Sequence, residues 1–322
     1  VLLEKLKKQG VAILYISHRM SDINSIADRI VAMRDGTISG LFEEKPLNYE
    51  GAVTAMLGQK LSQSEIKINE RKREILNLKG VRLASGSKPF DLSFFENEVV
   101  SITGLIGSGK TTLASQIFGL DPNSKVKMTL NGDAYKPKSP KEAIAAGVFM
   151  CPKDRASNAV VSEFDISNNL ALPFLKRHSR LSFLRSKSLA QNARNSIDKL
   201  GIVCQSEMDS VTTLSGGNQQ KVMVGRWLAE ESSVLLLDEP FQGVDIKARR
   251  DIGLQIRSTS SQRATLIFVA ELDEALEIAD RVIVLHEGNL VGEYQNKRKN
   301  IPEIVSSFSG SAYNQGSSNY GT

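Results

Sequence analysis

The stretch Gly104-Leu105-Ile106-Gly107-Ser108-Gly109-Lys110-Thr111 constrains the fold of this chain more than any other. It fits the spacing G-x-x-x-x-G-K-[ST]. An apolar run, EVVSIT at 98–103, precedes it, and TTLASQIF at 111–118 opens a helix behind it. Strand, glycine loop and helix in that order predict an α/β fold with a mostly parallel sheet. The glycines let backbone N–H groups curl around an anion, and the helix N-terminus adds a favourable dipole. Lys110 is expected to reach the outer phosphates of a nucleotide such as ATP, with the Thr111 hydroxyl on Mg²⁺. Ser108 and Thr112 complete the candidate set. The competing reading is a chance glycine-rich turn, and the strand–loop–helix context counts against it.

The run VLLLDEP at 234–240 supplies the partner. Its four apolar residues predict a strand buried on both faces, and Asp238 falls at the carboxyl end, where ligands bind in an open parallel sheet. Asp238 is a candidate Mg²⁺ ligand. Glu239 is placed to orient or deprotonate an attacking water. Alone, such an acidic pair reads as an exposed turn; the phosphate loop changes that.

Internal repetition sets the organisation. Residues 12–40 align without a gap on 264–292, an offset of 252, and Ala12, Leu14, Ile26, Ala27, Asp28, Arg29, Gly36 and Gly40 meet identical residues. Residues 1–60 therefore read as the last part of one domain and 76–310 as a whole second copy. Between them, the charged segment 61–75 reads as a linker, and the Gly/Ser/Asn-rich tail, 311–322, reads as disordered. Within the first part the patterning predicts a helix at 2–9, a strand at 11–17, a helix near 21–27 and a strand at 29–33. A turn at Asp35-Gly36, a short strand and a helix around 50–57 follow. The chain opens at Val1, mid-element, so an upstream portion is expected.

Composition removes several classes. With 41% hydrophobic and 24% charged residues the chain can bury an ordinary core. No apolar run approaches the ~18 residues of a membrane span. Cys151 and Cys204 form neither a metal spacing nor a disulfide framework and read as packing residues. A net charge of +5 would suit nucleic acid or an anionic membrane. Its basic groups, at 67–73, 136–141, 176–187 and 297–299, carry no interleaved aromatics for base stacking, so they read as solvated faces and no nucleic-acid partner is expected.

LSGGNQQK at 214–221 is the most specific element. Together with the phosphate loop before it and LLLDEP after it, it resembles the signature of the ATP-binding-cassette ATPases. Ser215, Gly216 and Gly217 precede a helix and offer amide donors to a phosphate. The resemblance implies that they grip the nucleotide held by the opposite domain, and that Gly243-Val244-Asp245 touches the partner across a dimer. It also implies a phosphate-loop fold with a helical subdomain at about 155–215. FDLSFFENEVVSITGLIGSGKTTLASQIFGLDP, LSGGNQQKVMVGRWLAEE and DRVIVLHEGNLVGE further resemble the second half of tandem ATPases of ribose/galactose/xylose-type bacterial importers. That likeness implies a subunit peripheral to the cytoplasmic face of the inner membrane. It would power transmembrane permease subunits and, through them, serve a periplasmic sugar-binding protein.

The departures from that family are informative. It usually carries Arg and Glu where this chain has Lys110 and Thr112. Lys153 stands where the family has Glu, or Gln in other cassettes; a cation there cannot ligate Mg²⁺ but can neutralise phosphate charge. Asn97 replaces a turn glycine, which asparagine's tolerance of left-handed backbone allows. No aromatic near Ala84-Ser85-Gly86 offers adenine stacking. His18, after the 11–17 strand, corresponds to a histidine that in cassettes reaches the γ-phosphate and the attacking water. Its counterpart is Ala270. The competent site expected from this pairs the missing first cassette's phosphate loop and His18 with Ser215–Gly217, whereas the second copy's own nucleotide would be hydrolysed poorly. A capping or surface role is the plainer alternative for His18, and His178 and His286 carry no functional expectation. Two other functions stay open: a truncated cassette that binds ATP but turns it over weakly, and a soluble tandem cassette ATPase. The latter would be expected to carry a long charged helical linker or large insertion, and a histidine in both copies.

Overall fold

A computed structural model of the chain describes residues 2–16, 26–34, 37–45, 47, 52, 55, 68–105, 107–121, 123–154, 160–180, 183–300, 303, 304 and 307. His18, the 21–25 stretch, the turn at 35–36, residues 61–67 and the tail lie outside the described residues. The chain divides into two compact units: residues 1–65 with 245–247, and 66–244 with 248–322.

The first unit holds helix α1 (Leu2–Lys8) and an antiparallel hairpin of β1 (Ile30–Arg34) and β2 (Thr37–Phe42). Residues 11–16, expected as a strand, form no regular structure, and Leu14 and Ile16 are each 90% exposed. The physical reason is the lack of neighbours. A wholly apolar strand is stable between two others, and among the described residues this unit has just the one hairpin.

The second unit contains β3 (Glu74–Val81), β4 (Phe90–Phe95), β5 (Val99–Thr103), α2 (Lys110–Ile117), β6 (Lys127–Leu130), β7 (Asp133–Tyr135), α3 (Pro140–Ala145) and β8 (Val148–Cys151). There follow α4 (Ile166–Ala171), a short hairpin of β9 (Ser179–Arg180) and β10 (Phe183–Leu184), α5 (Ser186–Leu200) and α6 (Gly216–Leu228). The unit ends with β11 (Val234–Asp238), all of α7 (Ile246–Ser258) but its first two residues, β12 (Ala264–Val269), α8 (Leu272–Ile278), β13 (Arg281–His286) and β14 (Asn289–Gln295). The main sheet runs β14-β13-β5-β12-β11-β8, parallel except for the β13/β14 hairpin. A second, antiparallel sheet runs β4-β3-β6-β7.

Two-residue alternation buries both faces of the main sheet. Val100, Ile102, Leu236, Leu266 and Phe268 pack with α2 and the antiparallel sheet. Their neighbours Val99, Leu235, Leu237, Ile267 and Val269 pack on the other face with Trp227, Ile252 and Ile278 of α6, α7 and α8. Hence the strands read as unbroken apolar runs, and the phosphate loop and Asp238 emerge together at their carboxyl ends.

The helical region between Lys153 and the signature has its own core of Ile166, Leu170, Ala193, Leu200, Val211 and Val222. Arg226 of α6 locks it: its guanidinium donates to the Asn169 carbonyl oxygen (2.6 Å) and to Asn169 Oδ1 (3.0 Å), both buried. Asn97 takes the left-handed conformation expected of it, with φ 69°.

The repeated segments share a detail of register. The β1/β2 hairpin shifts between Ala32 and Met33, and β13/β14 shifts between Val284 and Leu285, the matching position. The paired Gly40 and Gly292 have one cause: a Cβ there would collide with the ring of Phe42 or Tyr294, two residues on.

Candidate nucleotide site

The phosphate loop leaves β5 and turns sharply into α2. Gly104 has φ 154°, and a Cβ on it would overlap the Leu285 carbonyl oxygen; Gly109 has φ 99°, and a Cβ would lie 2.8 Å from Leu83 Cβ. Both positions are closed to side chains. Gly107, with φ 84°, has open space around it and needs glycine for its backbone alone. Lys110 is buried and donates to the Gly104 carbonyl oxygen at 2.6 Å, curling back over the loop it belongs to. Burial holds its ammonium below the ordinary lysine value, opposed by the negative charge of Glu239. Ser108 is buried, with its hydroxyl oxygen unpartnered in the protein. Thr111 and Thr112 are exposed on the first turn of α2.

Asp238 ends β11 opposite this turn. The Thr111 hydroxyl donates to Asp238 Oδ2 at 3.3 Å, while Asp238 Oδ1 is buried without a partner. Burial, with Glu239 beside it, pushes the Asp238 carboxyl up to about 6. Glu239 is held in left-handed backbone, φ 50°, by a 2.8 Å bond from its N–H to the Phe268 carbonyl oxygen. Such a conformation in a non-glycine residue is costly and gathers at functional sites. It aims the carboxylate at the end of β12, where the Ala270 N–H donates to Glu239 Oε2 at 3.2 Å. At Ala270, then, the main chain alone meets Glu239.

The signature forms the start of α6. Ser215 is the N-cap, its hydroxyl accepting from the Asn218 N–H at 3.4 Å and from the Asn218 side-chain amide at 3.1 Å. Ser215 is exposed, and Gly216 and Gly217 follow it half-buried. A Cβ on Gly217 would press on Ala248 Cβ at 3.1 Å. Gln220 anchors the same helix beneath the Asp238 strand, donating to the Pro240 carbonyl oxygen at 2.8 Å. Gly243 is in left-handed backbone, φ 68°.

The structure therefore gathers Lys110, Thr111, Asp238 and Glu239 at the carboxyl ends of the interior strands β5 and β11 and places Ser215–Gly217 at the start of α6. His18 lies outside the described residues. His178 is buried, with Nδ1 bonded to the Ser188 hydroxyl at 2.9 Å, and Cys151 is a buried core residue whose thiol is pushed up to about 12.

Sequence reasoning missed the charge cluster at the opposite end of the strands. Glu98 and Arg281, both buried, form a two-pronged pair at 2.7 and 2.9 Å, extended by Arg71 and Glu293. Beside them Asp280 accepts from the Val99 N–H (2.8 Å), the Asn69 N–H (2.9 Å) and Arg257 (3.1 Å). Both residues belong to the Asp-Arg pair repeated at 28–29, which was the available signal. In the first unit the same pair makes exposed contacts, Asp28 with Lys7 and Lys45 and Arg29 with Glu43.

The ABC transporter family model matches residues 87–242. The ribose import ATP-binding protein RbsA 2 of Rubrobacter xylanophilus is 35% identical over 307 residues, covering 95% of this chain and 59% of that protein. The galactose/methyl galactoside import ATP-binding protein MglA of Fusobacterium nucleatum is 32% identical over 309 residues, covering 94% and 62%. The chain thus spans about three-fifths of the length of these relatives. Among solved structures, a nucleotide-free ATP-binding cassette from an ABC transporter superposes with a TM-score of 0.62 at 20% identity, over 73% of this chain and 96% of that one. An ATP-binding cassette of an ABC transporter in its ADP conformation gives the same score and identity over 74% and 100%. At such identity these two speak for the fold. With a glycine loop, an acidic strand end and a capped signature helix on that fold, residues 87–242 form an ATP-binding domain of the ABC transporter family.

Proposed function

We propose that this chain binds Mg·ATP on its own phosphate loop and forms part of an ATPase that energises sugar import. The observation that carries the binding is the meeting of Thr111 and Asp238 at 3.3 Å beside a loop whose Gly104 and Gly109 leave no room for side chains. The buried, unpartnered Asp238 Oδ1 and the Thr111 hydroxyl are hard oxygen donors of the type Mg²⁺ takes. When bound, Mg²⁺ would neutralise charge on the outer phosphates. Lys110, drawn off the Gly104 carbonyl, would pair with the same phosphates, and Glu239, fixed by Ala270, would accept a proton from the attacking water.

The relatives named as ribose and galactose import proteins support a monosaccharide as cargo, with this subunit peripheral to the cytoplasmic face of the inner membrane, a permease as its direct partner and a periplasmic binding protein as an indirect one. The matching register shifts of the two hairpins support residues 1–60 as the end of a first cassette and 76–310 as a second, joined by 61–75. On this reading Ser215–Gly217 and His18 serve a nucleotide bound by the first cassette. The second cassette's own site turns over slowly, since Ala270 offers Glu239 an amide and no side chain.

The test is uptake of labelled ribose or galactose into proteoliposomes holding the full-length subunit and its permease, with ATP inside and the sugar-binding protein outside. ATP-dependent uptake is expected; ATP-independent uptake, or none for any pentose or hexose, overturns the import reading. In the same system His18→Ala, Ser215→Ala and their double variant should lose turnover together, the double costing much less than the combined single losses, because groups acting on one transition state are not additive. Glu239→Gln should leave most of the rate. If Glu239→Gln abolishes turnover and His18→Ala is silent, the productive site belongs to the second cassette.

A further inference from the structure

The signature helix α6 reaches deeper into the molecule than its exposed tip. Gln220, in its second turn, is 2% exposed, and the side-chain amide donates to the Pro240 carbonyl oxygen at 2.8 Å. Pro240 directly follows Glu239. The helix that presents Ser215–Gly217 therefore also holds the main chain at the acidic strand end. It is firmly seated. Lys221, next to Gln220, donates to the Gly201 carbonyl oxygen (3.0 Å) and pairs with Asp251 of α7 (2.9 Å), while Gly217 packs closely on Ala248 of the same helix α7.

Glu239 needs such an anchor. Its backbone is left-handed, φ 50°, and a residue before proline is steered toward extended conformations. Main-chain bonds impose part of the shape: the Glu239 N–H donates to the Phe268 carbonyl oxygen (2.8 Å), and the Gln242 N–H donates to the Glu239 carbonyl oxygen (3.1 Å). Gln220 adds the side-chain link on Pro240. A buried carbonyl deprived of its donor is costly, and a strained segment relieves that cost by turning, taking the carboxylate with it. We propose that Gln220 is a positioning residue for hydrolysis at the phosphate loop of its own domain. Through Pro240 it keeps the Glu239 carboxylate aimed at the attacking water, so the signature helix serves its own domain's site as well as the opposite one. This rests on the reading above in which Glu239 accepts a proton from that water.

The experiment is single-turnover hydrolysis of labelled ATP, with Mg²⁺ and excess protein, by the 322-residue chain and its Gln220→Met, Gln220→Glu and Glu239→Gln variants. Calorimetric ATP affinities run alongside and report that each variant is folded. Gln220→Met keeps the length and removes the donor, so affinity should stay within about threefold while the rate falls on the order of tenfold or more. Gln220→Glu keeps the shape, and a carboxyl buried against a carbonyl oxygen holds its proton and donates, so its rate should stay within about threefold of the parent. A residue that merely fills the core predicts the reverse order, because methionine suits an apolar site and a carboxyl does not. Gln220→Met at the parent rate, affinity lost in step with the rate, or Gln220→Glu no faster than Gln220→Met overturns the proposal. No hydrolysis by the parent, or hydrolysis by Glu239→Gln at the parent rate, overturns instead the reading of Glu239 beneath it.

Discussion

Replacing Asp238 by asparagine should stabilise the nucleotide-free chain, although it removes a residue of the site. Asp238 is 2% exposed, and burial with Glu239 beside it lifts its carboxyl from an ordinary 3.8 to about 6. A carboxyl raised that far costs about 3 kcal/mol in its ionised form relative to the unfolded chain. The sign follows from proton uptake. Below 3.8 both states hold the proton and nothing is lost. Between 3.8 and about 6 the unfolded chain ionises while the folded one does not, so stability falls as pH rises, and above about 6 the full cost is present. Asp238→Asn should therefore gain up to about 3 kcal/mol at pH 7.5 and nearly nothing at pH 3.5. Urea unfolding of both proteins at several pH values reads this directly. Saturating Mg·ATP should reverse the order, because only the carboxylate gains from the metal. A variant less stable than the parent at pH 7.5, or a difference that ignores pH, would refute the electrostatic account of the site.

Three further outcomes follow from the same structure. Arg281→Met leaves Glu98 buried at 1% exposure without its two-pronged partner, so urea unfolding should show a loss of about 3–5 kcal/mol; the double variant with Glu98→Gln should recover much of it. Gly104→Ala puts a methyl group into the Leu285 carbonyl oxygen, and calorimetry should show ATP binding weakened at least tenfold with the protein still folded by circular dichroism. The 322-residue chain, saturated with Mg·ATP, should turn over far more slowly than the enzyme median of about 10 s⁻¹, each missing pre-organised group typically costing ~10²–10³. A turnover near that median would show the site complete without a complementary cassette.

Much of the fold was legible because its signals are local. Apolar runs mark β5, β11 and β12, the first of them followed by the glycine loop, and their period and length allow little besides a doubly buried parallel sheet. The site's residues were legible for the same reason: Lys110 and Thr111 sit in one octapeptide, and Asp238 and Glu239 are adjacent. What stayed hidden depends on partners far along the chain. Residues 12–16 and 264–268 read alike, yet the second set lies between β5 and β11 while the first has no neighbours to order it among the described residues. The left-handed backbone of Glu239 follows from its amide meeting Phe268. The Asp280–Arg281 pair was visible as a repeat, but its work depends on Glu98 and Asn69, more than 180 positions upstream. Lys153 was visible as a departure; its influence on both Lys110 and Asp238 needed the fold.

The central claim is that the glycine loop at 104–111 is a nucleotide site in its own right. Calorimetric titration of Mg·ATP into the chain and its Lys110→Ala variant tests it most directly. One binding event is predicted for the parent, weakened in the variant by about 2 kcal/mol or more, roughly thirtyfold, because the loop's buried cation is lost. Equal affinities, or no binding by the parent, would contradict it.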